Sequence, residues 1–180
     1  MTSPNERGVL GLATRLRDSA FKRTLVELPV GTEVEVEEPK GTFALPDDTS
    51  RPYVFVAGGI GITVFRSMLR YIHEERLPYR VTLIYSNRDR ESTAFLEELH
   101  GLQGELPDFR LILTMTQDPG WDGETRKVDA QFFEHYLGAD LNDYTFMVAG
   151  PPAMTEGVQH ALAEARVSEE NVIASRFSGY

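Results

Sequence analysis

The sequence predicts an α/β fold: a doubly wound, five-stranded parallel sheet of order 3-2-1-4-5, preceded by the remnant of an antiparallel β-barrel. Two observations carry the sheet: apolar strand-like runs alternate with amphipathic helical ones from Tyr53 onward, and the first of them ends in a glycine-rich turn. A third carries the remnant. Thr32-Glu-Val-Glu-Val-Glu37 alternates at period 2, the pattern of a half-buried antiparallel strand.

The elements follow in order. Val9–Leu16 reads as a short strand, and 19–28 as a helical turn or two with Ser19 as N-cap. Pro39-Lys-Gly41 turns the chain into a strand at 42–45, and 46–52 reads as a linker. Residues 1–50 therefore form one unit and 51–180 another. In the second unit strands are expected at 53–57, 80–85, 109–115, 144–149 and 171–175. Helices are expected at 63–75, 92–102, 129–137 and 152–165. Phe65, Met68, Leu69 and Ile72 share one face of the first of these helices. Near-continuous apolar strands separated by helices imply a sheet covered on both faces, with right-handed crossovers.

Composition narrows the chemistry. The 180 residues contain no cysteine, which excludes disulfides, Cys-ligated iron–sulfur clusters, Cys-type zinc sites and thiol nucleophiles together. Any redox work then needs an organic cofactor. The four histidines fall on separate predicted helices without ligand spacing, so no metal is assigned. A net charge of −10 argues against nucleic acid and anionic lipid as partners. With no long apolar run and no apolar N-terminal stretch, a soluble cytoplasmic protein is expected.

Two turns carry the chemistry. Ala57-Gly58-Gly59-Ile60-Gly61-Ile62-Thr63 runs from the first strand into a helix. Glycines there let an anion approach the backbone, and the helix N-terminus offers free N–H groups and partial positive charge. The spacing is not Gly-x-Gly-x-x-Gly, since Val64 stands at the third position, and a plain tight turn is the structural alternative. Met147-Val-Ala-Gly150-Pro151-Pro152-Ala153-Met154 ends the fourth strand, with a helix start as its alternative. In a doubly wound sheet both turns border the crevice between the first and fourth strands, where ligands bind.

Gly58-Gly-Ile-Gly-Ile-Thr63, Tyr85-Ser-Asn-Arg88, Ala149-Gly-Pro-Pro-Ala-Met154 and Phe177-Ser-Gly-Tyr180 resemble the motifs of the ferredoxin–NADP reductase superfamily of flavin oxidoreductases. Ser19-Ala-Phe-Lys-Arg-Thr-Leu25 and Pro39-Lys-Gly-Thr-Phe43 resemble the closing segment of its FAD-binding barrel. The resemblance implies an NAD(P)H-dependent enzyme passing hydride from nicotinamide to FAD, and electrons onward to a redox protein or small molecule. Gly58, Gly59, Gly61 and Thr63 would then line the pyrophosphate and nicotinamide. Ser86 and Arg88 would hold the adenosine ribose, favouring NADP over NAD because no acid ends that strand. Asp89 next door pulls the other way. Gly150, Pro151, Pro152 and Met154 would flank the nicotinamide, and Lys22 would bind cofactor from the barrel side. Tyr180 would stack on the flavin; with Thr63 it is the expected catalytic residue.

Three departures accompany the resemblance. Val64 replaces a common proline, and Ala149 replaces a cysteine that assists hydride transfer in some members. No Arg-x-Tyr/Phe-Ser/Thr motif for FAD precedes Thr2-Ser-Pro4. The barrel would thus be incomplete, with strand edges completed by missing sequence, by a partner subunit or by self-association. The competing expectation is a non-catalytic NAD(P)-binding module.

Overall fold

The computed structural model of the chain describes residues 8–37 and 41–176. Five parallel strands, β1 (Tyr53–Gly58), β2 (Val81–Asn87), β3 (Phe109–Met115), β4 (Thr145–Gly150) and β5 (Val172–Arg176), form one sheet in the order β3-β2-β1-β4-β5. This is the expected order. Five helices accompany them: α1 (Ala20–Glu27), α2 (Ile62–Glu74), α3 (Leu96–Glu105), α4 (Ala130–Leu137) and α5 (Pro152–Glu164).

β1 lies at the centre, with Phe55 level with Leu83 on one side and Met147 on the other. Its side chains alternate between two cores. Tyr53, Phe55 and Ala57 face α2 and α3, whereas Val54 and Val56 face α4 and α5. Covered on both faces, the strand needs an unbroken apolar run rather than a polar–apolar alternation. Phe65 of α2 stacks on Phe55 with ring centroids 4.7 Å apart, and Phe43 meets Phe65 edge-on at 6.0 Å. Phe55 and Phe65, both fully buried, each contribute about 1.5–3 kcal/mol in transfer free energy.

Caps set the helix boundaries where the sequence offers them. The Ser19 hydroxyl accepts from the Lys22 amide, and the Asp129 carboxylate from the Phe132 amide at 2.8 Å. α3 starts later than the periodicity predicts. Asp89 accepts from the Ser92 amide at 2.7 Å, and Phe95 takes a positive φ of 60°, so a turn occupies the expected first helical residues. Beyond β3 the loop folds back. Glu124 accepts from Arg126 Nε at 3.0 Å and from the Tyr136 hydroxyl at 2.9 Å. Those bonds, Arg126 foremost, hold its carboxyl down at about 2.

The antiparallel strands expected at 9–16, 32–37 and 42–45 are absent among the described residues. A period-2 run becomes a strand only when a neighbour supplies the hydrogen-bond ladder, and among the described residues none pairs with these segments. Val9, Leu12 and Val34 are 63%, 76% and 64% exposed. Residues 42–50 behave differently, being pinned to the sheet. Tyr79 donates to the Pro46 carbonyl at 2.6 Å, and Tyr53 to that of Asp48 at 2.5 Å. No helix among the described residues is long and apolar enough to cross a membrane.

Candidate functional site

At the end of β1 the chain makes one tight turn, Gly59–Gly61, and runs directly into α2. Gly59 has φ +51°, a left-handed conformation that suits glycine. Gly61 serves another purpose. A Cβ there would lie 2.3 Å from the Ala149 carbonyl oxygen, so only a bare Cα lets this turn pack on the end of β4. The two turns read from the sequence are therefore in backbone contact. Pro152 opens α5 at its first residue, where no amide hydrogen is missed.

Between the turns lies a cleft of about 320 Å³, bordered by Gly58, Gly59, Ser86, Arg88, Pro151 and Met154 from the expected set. Met154 closes over the two glycines, its Sδ about 3 Å from where a Cβ on Gly58 or Gly150 would stand. Five further lining residues, Arg15, Arg17, Ile60, Asn87 and Thr116, were not foreseen. Arg15 and Arg17 come from the segment before α1, and nothing in the spacing of the glycine turns points to them. Among all eleven lining residues there are three arginines and no carboxylate, in a chain with 28 acidic and 18 basic residues. The cleft thus has the opposite sign to the molecule.

The remaining expected residues fall elsewhere. Thr63 is buried at 8% exposure, and its hydroxyl donates to the Ile60 carbonyl at 3.0 Å, so it fastens the turn rather than lining the cleft. Gly61 is buried beneath the wall, and Gly150 and Pro152 shape it from behind. Lys22 borders a separate groove with Leu16, Arg17 and Val26, its ammonium buried and without a hydrogen-bond partner among the described residues. Tyr180 lies outside the described residues.

Local electrostatics clarify the role of the end of β2. The Asp89 carboxylate turns into its own loop, where the Ser92 amide holds it below the usual carboxylate range. Asp118 is likewise depressed, by the Arg90 amide first, and pairs with the Arg90 guanidinium at 3.1 Å. Both acids are committed, whereas Arg88 is exposed and in no ion pair among the described residues. Tyr85 braces the glycine turn by donating to the Gly59 carbonyl at 3.1 Å; burial pushes its hydroxyl up to about 12, against the nearby Asn87 amide.

A glycine cradle that a Cβ would fill and three arginines in no ion pair among the described residues suit a polyphosphate bridge, so the residues present fit a nicotinamide dinucleotide. They do not fit FAD in the same way. The described residues form no antiparallel barrel, and the groove beside Lys22 is lined by Asp18 and Glu27 as well as by Arg17 and Arg23.

Fold and cleft define a dinucleotide-binding α/β domain. The chain belongs to the oxidoreductase NAD-binding domain family, whose model matches residues 55–160, within the ferredoxin–NADP reductase superfamily. It is 26% identical to a subunit of the Na(+)-translocating NADH-quinone reductase of Neisseria gonorrhoeae, over 98% of this chain and 47% of that one. To methane monooxygenase component C of Methylosinus trichosporium it is 34% identical, over 78% of this chain and 42% of that one. Among solved structures, the ferredoxin NADP+ reductase of Neisseria gonorrhoeae with bound FAD and NADP superposes with a TM-score of 0.74. It is 18% identical, over 89% of this chain and 71% of that one, a likeness of fold. The chain spans about half the length of the first of these relatives.

Proposed function

We propose that this chain binds NAD(P)H in the cleft between the β1 and β4 turns and forms the pyridine-nucleotide side of a flavin oxidoreductase. The observation that carries the reading is the cationic cleft itself, lined by arginines in an acidic chain and closed at Gly61 by backbone contact between the two turns. When bound, the nicotinamide supplies a hydride, with FAD as the acceptor in this reading. The chain's own residues hold the dinucleotide: Gly58 and Gly59 admit its phosphates, and Pro151 and Met154 wall the far end. Ser86 and Arg88 take the ribose, and with Asp89 turned away they suit the 2′-phosphate of NADP(H). Tyr180 and Lys22 belong to the flavin side of the proposal, as do residues 1–50 apart from Arg15 and Arg17, which border the nucleotide cleft, and the nicotinamide side comprises 51–180. Electrons leave to a redox protein or small-molecule acceptor.

Calorimetric titration with NADP+ and NAD+ tests the binding, and ferricyanide reduction with added FAD tests the enzyme. Arg88→Ala is expected to raise the Kd for NADP+ about tenfold with little change for NAD+. Absence of binding to either nucleotide refutes the proposal. A second reading, a dinucleotide-binding module without electron transfer, is favoured by the lack of barrel strands among the described residues; it predicts binding without diaphorase activity.

A further inference from the structure

Arg15 extends the dinucleotide site proposed above, and its assignment rests on that reading. It lies on the segment before α1, outside both glycine turns. Its Nη2 donates to the Ser92 carbonyl at 3.0 Å and stands 3.1 Å from where a Cβ on Gly59 would be. The guanidinium therefore rests against the turn whose amides begin α2.

Electrostatically this is a poor place for a cation. Arg15 is half-buried and faces the positive end of α2, while Arg17 and Arg88 border the same cleft and no carboxylate does. Among the described residues it makes one hydrogen bond and no ion pair, leaving most of its five donors unused. Asn87, 5% exposed, borders the same cleft, and neither its amide nitrogen nor its oxygen closes a hydrogen bond among the described residues. Converging like charge and an orphaned buried amide both cost free energy on their own. An anionic, hydrogen-bonding guest relieves both.

We propose that Arg15 is a ligand of the dinucleotide pyrophosphate, held at the Gly59 turn by its bond to Ser92. The pyrophosphate is common to NAD(H) and NADP(H), whereas the 2′-phosphate at Arg88 is not. Arg15 therefore sets affinity, and Arg88 sets preference. A segment preceding the α/β domain thus takes part in nucleotide binding.

Titration calorimetry of the 180-residue chain and its Arg15→Gln and Arg15→Lys variants with NADP+ and NAD+ tests this. Arg15→Gln is expected to raise both Kd values about tenfold and leave their ratio unchanged, while Arg15→Lys stays within about threefold of the parent. Both substitutes keep an N–H donor for the Ser92 carbonyl but only lysine keeps the charge, so a residue that merely tethers the segment would change binding equally in the two. Equal losses overturn the assignment. So does a loss confined to NADP+, which would move Arg15 to the 2′-phosphate. Unchanged binding by Arg15→Gln overturns it while leaving the dinucleotide reading intact; a parent chain that binds neither nucleotide removes both.

Discussion

In β1 the run Tyr53–Gly58 is buried from end to end, whereas Val9, Leu10 and Leu12, a run of similar side chains, stay 63–76% exposed. The two regions differ in neighbours rather than in hydrophobicity. β1 has a hydrogen-bonded strand on each edge and a helical layer on each face. Residues 8–37 have the single short helix α1, whose one buried residue is Lys22. An apolar pattern specifies which face of a strand is covered, but a strand also needs a ladder to join.

The contrast can be tested by substitution, starting with the sheet. Phe55→Ala is expected to cost about 3–5 kcal/mol in urea unfolding, because the ring is fully buried and stacked on Phe65. A loss as small as that of a surface residue would place the stability of the chain elsewhere. Gly61→Ala comes next, at about 2–3 kcal/mol, since its Cβ would meet the Ala149 backbone rather than a side chain able to move. Wild-type unfolding and nucleotide binding in that variant would refute the backbone contact between the two turns.

Acid titration gives a smaller effect. The Glu124 carboxyl sits at about 2 in the folded chain against an ordinary value of 4.5, so it contributes stability above the ordinary value. That contribution is lost as pH falls from there through the folded value. The difference in unfolding free energy between the parent and Glu124→Gln should therefore shrink by on the order of 1 kcal/mol between neutral pH and the acid end of that window. A difference that does not vary with pH would remove the Arg126 and Tyr136 bonds from the energetics. Phe21→Ala, at a site 70% exposed, should change stability by less than about 0.5 kcal/mol. A larger loss would mean that the first segment is covered in solution.

Most of the sheet was legible because its signals are local. Tyr53–Ala57 could only be a doubly covered strand, and Ser19, Asp129 and Pro152 mark helix starts through chemistry confined to one turn. The late start of α3 was hidden, since Ser92 and Thr93 read equally well as first helical residues or as the end of a turn built on Asp89. Of the site, the glycine turns were readable from a strand-to-helix pattern, while Ser86, Arg88 and Met154 came from the resemblance to the reductase superfamily. Arg15 and Arg17 were not, for they reach the cleft by a path through space that no spacing within residues 53–176 encodes. Gly61 was placed correctly at the turn but assigned to a ligand, while the structure gives it to packing, a distinction only the distance to Ala149 can draw.

The position of β1 between β2 and β4 also has a consequence in time. Tyr53 pairs with Val81 on one edge, soon after in the chain, and with Thr145 on the other, far later. As the chain leaves the ribosome, β1, β2 and β3 can assemble while one edge of β1 still waits for its partner. Such distant parallel pairings are slow to form and leave sticky edges open meanwhile. The same edge ends in the glycine turn, so the cleft beside that turn is among the last features of the molecule to be completed.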